Sequence, residues 1–279
     1  RELAAIADPN VGVVTNVGHA HVEFFDSIEG VAAAKRELVE SLGPAGVAVL
    51  NADDARVARF ARSHPGRTIT FGLNPGAEVH AEQLEERAEG TRFRVNGVWF
   101  TSPMRGTHNV LNLLAGMGVA RAFGIETEAL APAIAALEAG EHRGRRFVHG
   151  GVTIFDDCYN SNPEAVRRML DVLRAEPARR RIAVLGEMLE LGRRSESLHR
   201  EVGRYAAGCG IDVLIGIRGA AREFVAGAVE AGIPRSAAFF FDEPGEAGEF
   251  LRREAAAGDA VLLKGSRGTR VELALERLL

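Results

Sequence analysis

Ile154-Phe155-Asp156-Asp157-Cys158-Tyr159-Asn160-Ser161-Asn162-Pro163-Glu164 is the stretch that decides how this chain folds. An apolar run ends in two adjacent acids, polar residues follow, and Pro163 stands where a helix tolerates proline, at its first position. The pattern predicts a strand turning directly into a helix. That is the carboxyl edge of a parallel sheet, where ligands of doubly wound folds bind. Free N–H groups at the start of such a helix attract anions, and Asp156 or Asp157 could hold a ribose hydroxyl or a metal. The competing reading is two acids in a solvated turn.

Working outward, apolar strands are expected at Val152–Phe155, Ile182–Leu185, Val213–Ile215, Ala238–Phe241 and Ala260–Leu263. Helical stretches fall between them, over roughly 163–175, 195–208, 219–231 and 244–256. Short apolar strands alternating with helices predict a parallel sheet of right-handed crossover units. Two more polar turns occupy the same kind of position, Gly186-Glu187-Met188 and Lys264-Gly265-Ser266-Arg267-Gly268. Lys264 and Arg267 beside glycine backbone suit a carboxylate or phosphate, although a basic glycine-rich turn capped by Ser266 is the plainer reading. Glu187, Glu190 and His199 are weaker candidates, read first as helix-surface residues.

Before Gly140 the rhythm differs, which places a domain boundary there and divides the chain into 1–140 and 141–279. Val11–Val17 reads as a buried strand ending at Gly18, and Asp26 with Glu29 as a capping box for a helix reaching about Leu42. Val47–Leu50 is a further strand. Thr91–Val95 and Val98–Thr101, joined by Asn96-Gly97, predict a hairpin. From Thr107 to about Glu138 the pattern is helical, broken at Gly124. On an extended chain His19, His21 and Glu23 share a face that could hold a divalent metal or orient a phosphate; the alternative is surface loop histidines. Lys35, after three alanines, reads from spacing alone as a solvated helical lysine. Asn109 and Asn112 lie at i,i+3 in the first turns of a helix, either capping it or reading a base edge.

Composition excludes several classes. The 279 residues hold 34 Lys+Arg and 38 Asp+Glu, a formal net charge of −4, against the excess base that nucleic-acid binding needs. Arg143–Arg146 and Arg179–Arg181 read as solvated loop or helix ends. Cys158 and Cys209 are too few for a disulfide framework or a cysteine zinc site, so a reducing cytoplasm is expected. No apolar run approaches the ~18 residues of a membrane span. There is no G-x-x-x-x-G-K-[ST] loop, and no G-x-G-x-x-G after a strand. The uncapped start at Arg1-Glu2-Leu3 suggests a piece of something longer.

The motifs TNVGHAHVEFF, EGVAAAK, LNADD, GTHNVLN, GRRF, FDDCYNSNPEA, LGEMLELG with SLH, and GDAVLLKGSRG resemble, in order, those of the Mur ligases. These ATP-dependent enzymes add amino acids to the UDP-N-acetylmuramoyl peptide precursor of peptidoglycan. The DD-x-YN-x-NP, LGEMLELG and KGSRG forms are most similar to the branch that adds D-Ala-D-Ala, and the D-N-P-R box of the diaminopimelate- or lysine-adding branch is absent. The resemblance implies an α/β chain: the remainder of a central ATPase domain over 1–140, begun beyond its phosphate loop, then a C-terminal Rossmann-like domain over 141–279.

By the same resemblance His21 is a magnesium ligand and Lys35 a lysine carbamylated by CO2 that supports a second magnesium, reversing the plain reading of Lys35. Asn109 and Asn112 lie near the adenine, Arg145 contacts nucleotide at the domain junction, and Asp157 meets the ribose. Asn160, Ser161, Lys264, Ser266 and Arg267 belong to turns near the incoming amino acid or peptide. His21, Lys35 and Arg145 are the implied catalytic residues. The implied chemistry uses ATP and Mg2+ to activate the carboxylate of UDP-N-acetylmuramoyl tripeptide as an acyl phosphate, which the amine of D-Ala-D-Ala attacks. A cytoplasmic monomer without nucleic-acid or membrane partners is expected, and these 279 residues alone are expected not to ligate. The alternatives are another Mur-type ligase, folylpolyglutamate synthase, or a binding module that lacks the phosphate loop.

Overall fold

The computed structural model describes residues 2–18, 23, 25, 27–87 and 90–279. The described residues fall into two compact α/β units: those within 2–18 and 25–138 make one, and Glu23 together with 139–279 makes the other. Among them no helix is long and apolar enough to cross a membrane.

The first unit opens with a short helix α1 (Glu2–Ala7) and strand β1 (Val11–Val14). Helix α2 (Ile28–Ser41), strand β2 (Val47–Asn51) and helix α3 (Ala55–Arg59) follow. Then come β3 (Arg67–Gly72), β4 (Val79–Arg87), β5 (Gly90–Val95) and β6 (Val98–Ser102), and the helices α4 (Thr107–Ala122) and α5 (Ala131–Ala135). The sheet runs β1-β2-β3-β4-β5-β6, parallel through β4 and antiparallel beyond it. Asn96 (φ 50°) and Gly97 (φ 80°) make the tight turn between β5 and β6, two left-handed positions that suit Asn-Gly.

Two expectations shift here. β1 stops at Val14 instead of Val17, because the next backbone groups are taken by side chains. Asn51 Nδ2 donates to Thr15 O at 2.7 Å, and Val17 N donates to Asp54 Oδ2 at 2.7 Å. The cap of α2 is Ser27, whose Oγ accepts from Gly30 N at 3.1 Å, the third residue of the helix, as a cap must. Asp26 lies outside the described residues.

The second unit holds β7 (Arg145–His149), β8 (Val152–Asp157), α6 (Pro163–Ala175), β9 (Arg181–Gly186) and α7 (Ser195–Gly208). It continues with β10 (Val213–Ile217), α8 (Arg222–Glu230), β11 (Ala238–Phe241), α9 (Pro244–Glu254), β12 (Ala260–Lys264) and α10 (Glu272–Leu278). The sheet order is β11-β10-β9-β12-β8-β7, parallel except for β7. From β8 the chain steps outward through β9, β10 and β11, then returns to insert β12 between β9 and β8. Right-handed crossovers in opposite directions put their helices on opposite faces. Accordingly α6, α7 and α8 bury Leu170, Val202 and Phe224 on one face, and α9 and α10 bury Leu251 and Ala274 on the other. Helices α7 and α8 cross closely: a Cβ at Gly203 would lie 2.1 Å from Phe224 O, and one at Gly227 2.1 Å from Arg200 O.

Both arginine runs read as solvated ends do structural work. Arg145 and Arg146 lie in the edge strand β7, where Phe147 is the one side chain turned toward the core, so no apolar alternation advertises the strand. Arg146 donates to Glu176 Oε1 at 2.6 Å, a carboxylate whose side chain is buried. Arg179 and Arg180 clasp Asp259, whose side chain is wholly buried, at 3.0 and 2.8 Å.

Candidate active site

The insertion of β12 makes a switch point in the second sheet. The turn after β9 leads to one face and the turn after β12 to the other, so a crevice opens where they diverge. A cavity of about 120 Å³ lies there, walled by Asn160–Asn162 after β8, Leu189 and Glu190 after β9, and Ser266–Gly268 after β12. The three polar turns singled out in the sequence therefore meet. Asn162 and Leu189 line the wall as well; Asn162 is the cap of α6, accepting from Ala165 N at 2.8 Å, and the Asn-Pro pair is its sequence signal.

Adjacent strand residues face opposite ways, and the two acids divide their roles accordingly. Asp157 Oδ2 accepts from Lys264 Nζ at 2.5 Å, and the same ammonium donates to Asn160 O at 2.8 Å. Burial pushes the Asp157 carboxyl above the usual carboxylate range, against the pull of the Lys264 ammonium. Asp156 is also buried and lies 2.8 Å from His142 Nδ1, which must carry a hydrogen since a carboxylate only accepts. Lys264 is thus committed to the protein, while the guanidinium of Arg267 is largely exposed, with Glu272 Oε1 at 3.5 Å. Ser266 Oγ accepts from Leu189 N at 2.9 Å, and the buried Ser161 Oγ has no partner. Cys158 is no nucleophile: burial drives its thiol far above neutrality, and its sulfur lies against Leu263 O.

The turn after β9 is held on every side. Glu187 N donates to Ile217 O, its Oε1 accepts from Ala220 N at 2.9 Å, and its carbonyl accepts from Thr269 Oγ1 at 3.1 Å. His199, expected on a helix surface, is fully buried beneath this turn.

In the first unit Lys35 Nζ donates to Asn16 O at 2.7 Å, and burial lowers its basicity, with Asp54 pulling the other way. Asn109 does not cap α4, whose cap is Gly106; its Nδ2 donates back to Arg105 O at 2.8 Å, while Asn112 is exposed. Both acids of LNADD bind backbone: Asp53 accepts from Leu73 N and Asn74 N, and Asp54 caps α3. Arg145 is exposed, its guanidinium 5.1 Å from the Phe147 ring centre. His19 and His21 lie outside the described residues, and among those described no group of three or more His, Cys, Asp or Glu is placed to hold a metal.

These features define a two-unit α/β protein with a crevice at the switch point of its second sheet. The Mur ligase middle-domain family matches residues 1–120, and the Mur ligase glutamate ligase domain family matches residues 142–267. The chain belongs to the Mur ligase family. It is 36% identical over 214 residues to the UDP-N-acetylmuramoyl-tripeptide–D-alanyl-D-alanine ligase of Synechocystis sp., covering 76% of this chain and 46% of that one. The protein of the same name from Mycobacterium tuberculosis is 36% identical over 292 residues, covering 95% and 57%. Among solved structures, the MurF ligase from Thermotoga maritima in complex with ADP superposes with a TM-score of 0.86 at 28% identity, covering 99% of this chain and 63% of that one. The chain spans about half the length of the curated relatives it matches.

Proposed function

We propose that the full-length protein bearing this chain joins D-Ala-D-Ala to UDP-N-acetylmuramoyl tripeptide at the expense of ATP, as an acid–amino-acid ligase of peptidoglycan precursor synthesis in the cytoplasm. What carries the reading is 36% identity, over 76% of the chain, to a relative of that name. The crevice supplies a place for an anionic, amine-bearing substrate.

In the proposed reaction a carboxylate oxygen of the tripeptide attacks the γ-phosphorus of ATP, and ADP leaves. The amine nitrogen of D-Ala-D-Ala then attacks the acyl carbon, loses a proton, and phosphate departs. Arg267 is the exposed cation of the crevice and is assigned the dipeptide carboxylate. Ser161, whose Oγ is unpartnered, and Asn160 and Ser266 beside it are assigned to substrate hydrogen bonds. Lys264 acts indirectly, fixing Asp157 and the carbonyl of Asn160. Arg145 is assigned to nucleotide, Asn109 and Asn112 to the adenine, and Asp157 to the ribose.

Magnesium falls to His21 and to Lys35 once carbamylated. The Lys35 environment fits that role, because burial enlarges the share of neutral amine, the form that reacts with CO2. When bound, the metal screens charge gathering on the phosphoryl oxygens.

Phosphate release from ATP by the full-length protein, given the tripeptide precursor and one amine at a time, tests the reading. Stimulation by D-Ala-D-Ala is expected. Stimulation by diaminopimelate or glutamate alone overturns it.

A further inference from the structure

The crevice wall formed by Leu189 and Glu190 follows β9 with no regular structure of its own, so something must hold it. Its neighbour Met188 is buried, and Met188 N donates to Nε2 of His199 at 2.8 Å. On the other side of the imidazole, Nδ1 lies 2.7 Å from the carbonyl of Ser195. A carbonyl only accepts, so Nδ1 carries the hydrogen. A backbone N–H only donates, so Nε2 must be bare. Both ring nitrogens are thus assigned by their partners. The Phe224 ring lies 4.6 Å away, centre to centre, and closes the ring in.

We propose that His199 is the positioning residue of the crevice wall: its neutral Nδ1–H imidazole accepts the Met188 N–H and so sets the backbone from which Leu189 and Glu190 line the cavity. The chain of contacts is short. Leu189 N donates in turn to Ser266 Oγ, so the wall set by His199 is coupled to the turn after β12 that carries Arg267. Glu190 takes a left-handed backbone (φ 63°), a conformation held only where its surroundings determine it.

A second hydrogen on Nε2 removes the acceptor and sets two N–H groups against each other. The charged groups facing the imidazole are Glu187 of the β9 turn and Glu223 of α8. Both favour the imidazolium, as does the Ser195 carbonyl, yet burial outweighs them and lowers the basicity of His199. The wall is therefore in place at neutral pH and comes loose on acidification below the ordinary histidine range.

This rests on the ligase reading only where it bears on turnover, and the test separates the two. In the intact protein labelled with 15N-histidine, the His199 Nε2 resonance is expected in the unprotonated range and Nδ1 in the protonated range at neutral pH, with titration only below the ordinary histidine range. The Met188 amide should exchange slowly. The opposite tautomer, or titration at the ordinary value with no response at Met188, overturns the proposal whatever the protein catalyses. Among variants, H199A should lose roughly 10- to 100-fold of the protection at Met188, the range for an orphaned buried donor. H199Q, whose amide oxygen can accept the same bond and does not titrate, should recover most of that loss. In the D-Ala-D-Ala-dependent assay, H199Q should also lack the acid limb that His199 imposes on KM for the dipeptide. An unaltered acid limb in H199Q counts against the proposal. Absence of any dipeptide-dependent turnover in the wild type counts against the ligase reading alone, and the NMR arm still decides the role of His199.

Discussion

Replacing Lys264 by Met removes the ammonium from a side chain only 3% exposed and leaves Asp157, 16% exposed, with a buried charge and no counterion. Breaking a buried ion pair from one side costs about 3–5 kcal/mol. The Asp157 carboxyl is already pushed up by burial, so it escapes in part by taking a proton, which places K264M near the lower end, about 3 kcal/mol at pH 7. For a unit of this size that moves a urea midpoint down by roughly 1.5 M. The pH dependence follows from the direction of the shift. A folded carboxyl whose pKa lies above its unfolded value makes the native state bind more protons across that window, so the penalty is largest at neutral pH and shrinks as pH falls through the folded value. The double variant D157N/K264M should recover at least ~2 kcal/mol relative to the sum of the single variants. Urea unfolding of the four proteins, followed at pH 7.5 and pH 5, makes the measurement. A K264M effect below ~0.5 kcal/mol that does not change with pH, or strict additivity in the double variant, refutes the argument.

Three further outcomes are expected. G203A and G227A each drive a methyl to within 2.1 Å of a backbone carbonyl, so each should lose at least ~2 kcal/mol of stability, whereas G208A, with open space around it, should not; thermal melts read this out. Burial raises the Asp259 carboxyl, but the hydrogen bonds from Arg180 and the Ala256 amide outweigh it and hold the group below the usual range. The stabilisation it provides is present above the unfolded carboxylate pKa and lost as pH falls through the folded value, so acid unfolding of D259N should lack part of the wild-type transition. Supplying 13C-bicarbonate to the full-length protein should yield a carbamate carbon resonance that is absent in K35R, and stripping CO2 and magnesium together should abolish ATP-dependent turnover.

Much of the second unit was legible from residues alone. The helices over 163–175 and 195–208 were expected where they occur, because Asn162-Pro163 and the 3.6-residue apolar rhythm act within a few residues. The same holds for the Asn96-Gly97 turn, whose left-handed conformations are intrinsic to those residue types. Strand β7 was missed because an edge strand with one inward side chain carries no alternation. His199 was misplaced because the turn that covers it comes from a different element. Of the two readings of Asn109, capping falls away because its amide donates to the carbonyl of Arg105, which lies before the helix.

The sequence by itself determined the alternation of strands and helices, the polar turns at strand ends and the order of motifs that marks a Mur ligase, since these depend on local propensity and turn chemistry. Only the tertiary structure decided that β12 inserts between β9 and β8. That insertion brings Lys264 onto Asp157 across 107 positions of chain and makes three separate turns the wall of one cavity. It also decided that Arg180 serves the buried Asp259 and that His199 is buried in one tautomer. Strand order and burial depend on which distant segments shed water against each other, and no window of neighbouring residues records that choice.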